Sequence, residues 1–534
     1  MYQLLADSFY MPIVALSIIA TLYTLGIIVY RVTFHPLAKY PGPWLGKITD
    51  WYSVIRSVAG DRHIHFLELH NKYGPFVRFG PNRISVNTAE GLQKIYGTRA
   101  PTQKSRYYDV FSGVFKGDSS LTTIDHGLHM KKKRVVSTAL SESSVKAMEE
   151  IILRNIRKFT VQLGKSTPSQ TTDLHSESWS SPKNMTDWAD YLSFDIMGDI
   201  CFSSSFGMLD GPDNRYILNV LPLGVNGLNI TGWMPWILRL KLGNILFAKL
   251  NTDMKRYEAF ANEQSSKRLA LENSPRVPDV YSYLLESNKS SKEGNSLFSP
   301  HDLVGESSLL ITGGSDTTAT AISATFFYLL HNPPSYEKLK KEIRPRFSSL
   351  EEIRNGGVLQ SCRWLRACID EAMRMSPGVP GLLPRVLLSP GVEIAGNFFA
   401  EGVDLGVSHY AIHHNEDIYP DSFSYQPERW LVERYPNESQ NGAESRVELA
   451  KSGFCPFSIG QRGCVGKGLA MKELMVTIAR AIWLYDLRLM PGEEHRGCGG
   501  YGKGYGRHRI GEYQLTDMFV SKTDGPIVQF RRRV

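Results

Sequence analysis

Phe457-Ser458-Ile459-Gly460-Gln461-Arg462-Gly463-Cys464-Val465-Gly466 is the stretch that decides how this 534-residue chain is read. It spaces an aromatic, a glycine, an arginine and a second glycine around one cysteine, then opens into an apolar, helix-patterned segment over 469–487. Glycines let a backbone pass close to a flat macrocycle, where a Cβ would hold it off. Backbone N–H groups at a loop-to-helix junction can bond a sulfur and hold it deprotonated, which suits a thiolate meeting an iron from below. Arg462, two residues before the cysteine, can reach a negatively charged propionate. Phe457 can shield the sulfur from water and so shift its redox potential. The competing reading, Cys464 as a buried cysteine acting as a small hydrophobe, accounts for a lone cysteine but not for the run around it.

Position for position, this run resembles the haem-binding loop of the cytochrome P450 monooxygenases. The resemblance covers the chain from about Tyr40 to its end. It implies one large, mainly α catalytic domain with a smaller β lobe, preceded here by an N-terminal transmembrane helix. It also implies a haem b (iron-protoporphyrin IX) whose iron is held by Cys464, with Phe457, Gly460, Arg462 and Gly466 against it.

Two further motifs fall at the distances that family requires. Ser299-Pro300-His301-Asp302 combines an N-cap serine, a proline at the first helical position and an acid in the first turn, a strong helix start. The pattern runs to Asn332-Pro333-Pro334, so a helix of roughly 30 residues and ~45 Å is expected. Inside it lies Thr312-Gly313-Gly314-Ser315-Asp316-Thr317-Thr318. Two adjacent glycines cost about 1 kcal/mol each against alanine, so they need a reason. One reason is room for dioxygen, with Asp316 and Thr317 relaying protons to it. The other is a helix-packing notch, with the threonine bonded back to a preceding carbonyl.

The remaining motif is Glu371-Ala372-Met373-Arg374, whose first and last positions share a helix face and can form a bidentate pair. Pro427-Glu428-Arg429-Trp430 follows where the family supplies a second arginine, implying a structural triad of Glu371, Arg374 and Arg429.

The most basic run, His129-Met130-Lys131-Lys132-Lys133-Arg134, falls where the family has a haem-edge helix with Trp or His followed four residues later by Arg. Here that position is Lys133, and Arg134 is turned away from His129 by about 100° per residue. His129 and Lys133 are therefore the candidates for the haem edge, Lys133 as a point charge toward a propionate. Lys131 and Lys132 are expected on a solvated face or on a docking surface for an acidic reductase, together with Lys467 and Lys472. Arg385, in Leu383-Pro384-Arg385-Val386, resembles the family's other propionate arginine.

Length alone would suggest three or four domains, but 42% hydrophobic residues and nine tryptophans can fill one large core. No charged residue occurs over 8–30, a stretch exceeding the ~20 residues that span a bilayer. It is too long for a signal peptide and lacks a small-residue cleavage site. Asp7 precedes it and Arg31, Lys39 and Lys47 follow, which places the N-terminus in the lumen and the catalytic domain in the cytosol. The expected organisation is a lumenal tip and anchor over 1–31, a proline-rich hinge over 32–50 and a catalytic domain over 51–534.

The six cysteines are scattered, with neither a CxxC pair nor zinc spacing, as in a reducing compartment. Sequons at Asn184, Asn229, Asn288 and Asn437 are expected to be unused. A net charge of +8 is modest for this length and does not indicate nucleic acid.

By resemblance, substrate contacts would come from Tyr107, Tyr108, Phe111 and Phe115, from 221–236 and from 379–383. All three regions are apolar or aromatic, which suits a lipophilic molecule, although aromatic clusters also build ordinary core. The glycine-rich, basic stretch over 493–512 is expected as a mobile insertion between two C-terminal strands, lacking the ending of a phosphate loop.

The resemblance is narrowest to fungal microsomal members of secondary metabolism. It implies oxidation of a lipophilic small molecule with dioxygen and electrons from NADPH-cytochrome P450 reductase, at the endoplasmic reticulum membrane. Oxidative phenol coupling would use the same residues. A haem isomerase or binding protein is the reading from another class, and it leaves Asp316-Thr317 without a purpose.

Overall fold

Ser299 starts the central helix as expected: its hydroxyl accepts the Asp302 N–H at 3.1 Å, and the Asp302 carboxylate accepts the Ser299 N–H at 3.0 Å. The helix runs Pro300–His331, 32 residues, and stops at Asn332, where Pro333 begins the next helix, Pro333–Ile343. The computed structural model describes residues 2–115, 117–166, 179–240, 242, 248–271, 277–289, 296–433 and 439–533. The sequon at Asn437 and the Phe115 side chain lie outside the described parts.

Around the central helix the chain is mainly helical. Met185–Phe202 packs along it most extensively, and Ala248–Leu269, Arg363–Met375 and the helix after the cysteine, Lys467–Leu484, close its other sides. Side chains such as Phe194, Ile200, Ile322, Phe326 and Ile478 are fully buried there. Burying each is worth about 1.5–3 kcal/mol.

The β lobe has its own core. A five-stranded sheet runs in the order Phe76–Gly80, Arg83–Val86, Asp404–Gly406, Arg385–Leu387, Thr102–Lys104. Ile84, Val86 and Leu405 from its strands share that core with Leu92 and Ile95. In the outer antiparallel pair, Lys104 stands opposite Arg385.

The N-terminal helix Tyr2–Val29 continues as a π turn, Tyr30–Phe34. Over Pro12–Phe34 its mean hydropathy is 2.3 and none of it is buried. The segment after it is no free linker. Leu37 and Tyr40 sink into the β-lobe core, and Arg78 donates to the Arg31 carbonyl at 2.7 Å. Gly42 lies so close to the next strand that a Cβ would stand 2.1 Å from the Arg78 carbonyl oxygen. The proline-rich stretch thus packs directly against the catalytic body.

The stretch over 493–512 does sit between two strands, Tyr485–Leu489 and Thr516–Met518. However, it is fastened at its base. Cys498 and Glu512 are buried, Tyr410 donates to the Glu512 carboxylate, and Gly506 abuts Ile64. Its tip, with Tyr501 and Tyr505, projects into solvent. The three described sequon asparagines are all engaged in the fold. Asn184 caps a helix, Asn229 is buried against the Tyr107 hydroxyl at 2.8 Å, and Asn288 bonds Phe298 in both directions.

Candidate active site

Phe457 begins a loop that turns on two positive-φ residues, Ser458 and Gly460. At Gly460 a Cβ would meet the Tyr96 carbonyl oxygen at 2.1 Å, so only glycine fits both the turn and the neighbour. The Cys464 N–H donates to the Phe457 carbonyl at 2.9 Å, closing the loop just before Gly466 caps the helix Lys467–Leu484. The Cys464 side chain is solvent-accessible. The protein around it pushes its thiol pKa up by burial; the N–H groups of Gly466 and Lys467 and the charges of Lys133 and Lys467 pull the other way. These are the groups that would hold a metal-bound thiolate.

The central helix leaves one face open. Between Leu303 and Leu329 every residue is buried except Leu309, Gly313, Gly314 and Thr317. Leu309, Gly313 and Thr317 are spaced by four and form one stripe. The two glycines have different reasons. A Cβ at Gly313 would meet only the Leu309 side chain, at 3.2 Å, whereas one at Gly314 would lie 2.3 Å from Met197. Gly313 therefore keeps space open and Gly314 is the packing notch. Thr317 does bond back, to the Gly313 carbonyl at 3.0 Å, while its hydroxyl oxygen stays on the open stripe. Asp316 is not beside it: burial and then the neighbouring Asp190 charge push its carboxyl up to about 8, with Lys522 opposing.

Four cations, Lys104, Lys133, Arg385 and Arg462, gather about the cysteine loop. Arg385 and Lys104 are each 3% exposed. Burial, then Arg385 and Arg462, lowers the Lys104 pKa well below its ordinary value. Burial and Arg385 bring Arg462 down to about 10. Arg462 donates to the Thr123 and Ile124 carbonyls at 2.7 and 2.9 Å, and Lys133 to the Gln461 and Gly463 carbonyls. His129 binds the Ser120 carbonyl through Nδ1 at 2.9 Å and lies 3.5 Å from the Gln461 carbonyl through Nε2. Its pKa is lowered to about 4 by burial, then by Arg462. Among the described residues, no carboxylate forms an ion pair with Lys104, Lys133, Arg385 or Arg462. Like charges crowded together with no counter-charge are unfavourable. These residues fit a flat group with a thiolate-held metal and an acidic edge, as haem is: Cys464 would hold its iron, and these cations would receive its propionates.

Lys104 was missed in the sequence; its role shows only once its strand pairs with that of Arg385. Lys132 is corrected. It is 1% exposed, not solvated, and lies 3.4 Å from the Asp302 carboxylate. It shares a face with His129 and Val136, a periodicity that its charge obscured. Lys131 and Lys467 are exposed.

The triad is present and fully buried. Arg374 forks onto Glu371 at 2.9 and 2.8 Å, and Arg429 reaches the same carboxylate at 3.3 Å. Trp430 adds an indole N–H at 3.1 Å. Arg374 also donates to the His413 carbonyl, and His413 Nε2 accepts the Cys455 N–H at 3.0 Å, which ties the network to the start of the cysteine loop.

A cavity of about 60 Å³ adjoins Gly313, lined by Phe111, Leu121, Val225, Leu228, Leu309 and Phe519 among others. Of the aromatic candidates, Phe111 lines it; Tyr107 and Tyr108 are core. Phe519, from the C-terminal hairpin, was not foreseen. A larger cavity of about 860 Å³, lined in part by Trp233, Trp236 and Lys104, lies toward the β lobe.

Comparison with known proteins agrees with this geometry. The cytochrome P450 family model matches residues 36–497. The cytochrome P450 monooxygenase AKT7 of Alternaria alternata is 38% identical over 96% of this chain and 95% of its own. The cytochrome P450 monooxygenase apf7 of Gibberella fujikuroi is 37% identical over 96% of both chains. The cytochrome P450 monooxygenase poxM of Penicillium oxalicum is 34% identical over 98% of this chain and 95% of its own. With a thiolate loop, an open stripe on the central helix and a cationic edge in place, the chain belongs to the cytochrome P450 family and is a haem monooxygenase.

Proposed function

We propose that this monooxygenase oxidises a lipophilic secondary metabolite, by hydroxylation or a related step, with dioxygen and electrons from NADPH-cytochrome P450 reductase. The observation that carries the reading is the stripe of Leu309, Gly313 and Thr317, which combines an apolar wall, open space and a hydroxyl on one helix face. When bound, haem b supplies the electron-transfer and oxidation chemistry. The protein does the rest. Apolar side chains around Gly313 exclude water and hold the substrate. Thr317 offers a hydroxyl that can accept and pass on a proton, and Asp316, largely protonated at neutral pH, is its source. Lys133 and Lys467 keep the sulfur side electropositive.

The apolar helix, followed by exposed Trp44, Trp51, Ile55 and Val58, supports a membrane setting. We place it in the endoplasmic reticulum with the catalytic body on the cytosolic face, where the basic flank would lie. Phenol coupling on the same site is not distinguished by these residues. An isomerase or binding protein would have no use for an alcohol on the open stripe with a protonated acid next to it in the chain.

The test is the ratio of product formed to NADPH consumed. In Thr317→Ala the carbon monoxide spectrum and substrate affinity should stay, while product falls by ~10²-fold or more and hydrogen peroxide rises. An unchanged ratio would reduce Thr317 to a packing residue.

A further inference from the structure

The Asp316 carboxylate lies away from the open stripe, on a small cavity of about 10 Å³, room for roughly one water. Asp316 is 9% exposed, and its Oδ2 has no hydrogen-bond partner. The cavity's other polar walls are Asp190 and Thr186 from the helix Met185–Phe202, Thr320 from the central helix, and Ser521, Lys522 and Thr523 at the C-terminal hairpin. Asp190 is itself 7% exposed and lies 3.7 Å from the Lys522 ammonium, whose side chain is 34% exposed. Two buried carboxyls thus share a polar chamber that has one cation and leads to the surface.

We propose that Asp190 and Asp316 hold one proton between them, and that Asp190 reloads Asp316 from solvent each time Asp316 gives its proton up. This rests on Asp316 acting as the proton source above.

The chemistry balances one proton at a time. Asp316 loses its proton toward Thr317, and two carboxylates then face each other across the chamber, a repelling pair. A proton entering at the Lys522 and Thr523 side binds Asp190 and passes through the chamber to Asp316 Oδ2. Asp190 is left ionised beside Lys522, as it began. Both carboxyls are pushed upward chiefly by burial, each is opposed by Lys522, and Asp187 adds to the rise of Asp190. Tyr257, on Ala248–Leu269, is the other titratable group that senses Asp316. It is phenolic, with its pKa at about 12, and stays neutral near pH 7.

The experiment uses full-length holoenzyme and two readouts. Infrared difference titration should show a protonated carboxyl in the wild type that titrates on the alkaline side of neutrality and is absent from Asp316→Asn. Its midpoint should fall by about one pH unit in Asp190→Asn, which removes a like charge, and rise in Lys522→Met, which removes an opposite one. The ratio of product to NADPH should fall several-fold in Asp190→Asn, with a larger solvent deuterium isotope effect on turnover. An unchanged midpoint in both variants, or an unchanged ratio in Asp190→Asn when Asp316→Asn uncouples, overturns the dyad. If Asp190→Asn fails to give a folded haem protein, the Lys522→Met midpoint decides. Should Asp316→Asn itself leave the ratio unchanged, the proton-source reading falls, while the midpoints still report whether the two carboxyls are coupled.

Discussion

Lys104 and Arg385 stand opposite each other in an antiparallel strand pair, both 3% exposed and with no carboxylate in ion-pair contact among the described residues. Like charges directly opposite in a sheet are destabilising. An anion would relieve this repulsion, and on the proposed reading that anion is a haem propionate. Lys104→Met should therefore act with opposite signs on two states. It should raise the thermal stability of the apoprotein and speed loss of haem from the holoprotein by ~10-fold, measured as transfer to apomyoglobin. Slower haem loss, or none of the apoprotein gain, would remove Lys104 from the site.

Glu371 accepts from two buried guanidiniums and an indole. Glu371→Gln strands two positive charges, at a cost of ~3–5 kcal/mol. Haem incorporation should collapse. Trp430→Phe removes one hydrogen bond from the same carboxylate and should cost only ~1 kcal/mol in urea unfolding.

Glu473, on the helix after the cysteine, is 2% exposed and is bonded by the Ser193 hydroxyl at 3.2 Å. Burial pushes its carboxyl from 4.5 up to about 8. The folded state keeps a proton that the unfolded chain releases, so stability is lost as pH climbs from 4.5 toward 8 and falls no further above that. Glu473→Gln has no proton to lose. Its melting temperature should drop less between pH 6 and pH 9 than that of the wild type; equal drops would contradict the burial argument.

Membrane binding rests on two surfaces. Removing residues 1–30 should lower partitioning into vesicles by at least ~10-fold without changing the haem spectrum. Residual binding should come from exposed Trp44, Leu45, Trp51, Ile55 and Val58 on the body, and Ile55→Asp with Val58→Asp in the shortened protein should abolish it. Protease added to sealed microsomes should digest the catalytic body; protection would reverse the orientation.

Much of this was legible because it is local. The capping residues at Ser299, the cysteine loop and the i,i+3 pair of Glu371 and Arg374 each lie within a few residues of chain, where spacing fixes geometry. What escaped depends on distant segments arriving. Lys104 has meaning only when its strand finds Arg385, Phe519 only when the C-terminal hairpin reaches the cavity beside Gly313, and Asp190 only when its helix crosses the central one. Lys132 is a different case: its place on the His129 face was readable from helical period, but a lysine was assumed to be solvated. The loop over 493–512 looked free by composition, since glycine content says nothing of Cys498 and Glu512 anchoring its base.

The central claim is thiolate ligation by Cys464, and the reduced, carbon monoxide-bound absorption spectrum tests it most directly. The wild type should show the red-shifted Soret band of a sulfur ligand, and Cys464→Ser, expressed and reconstituted in parallel, should lack it. A normal thiolate band in the serine variant would contradict the account.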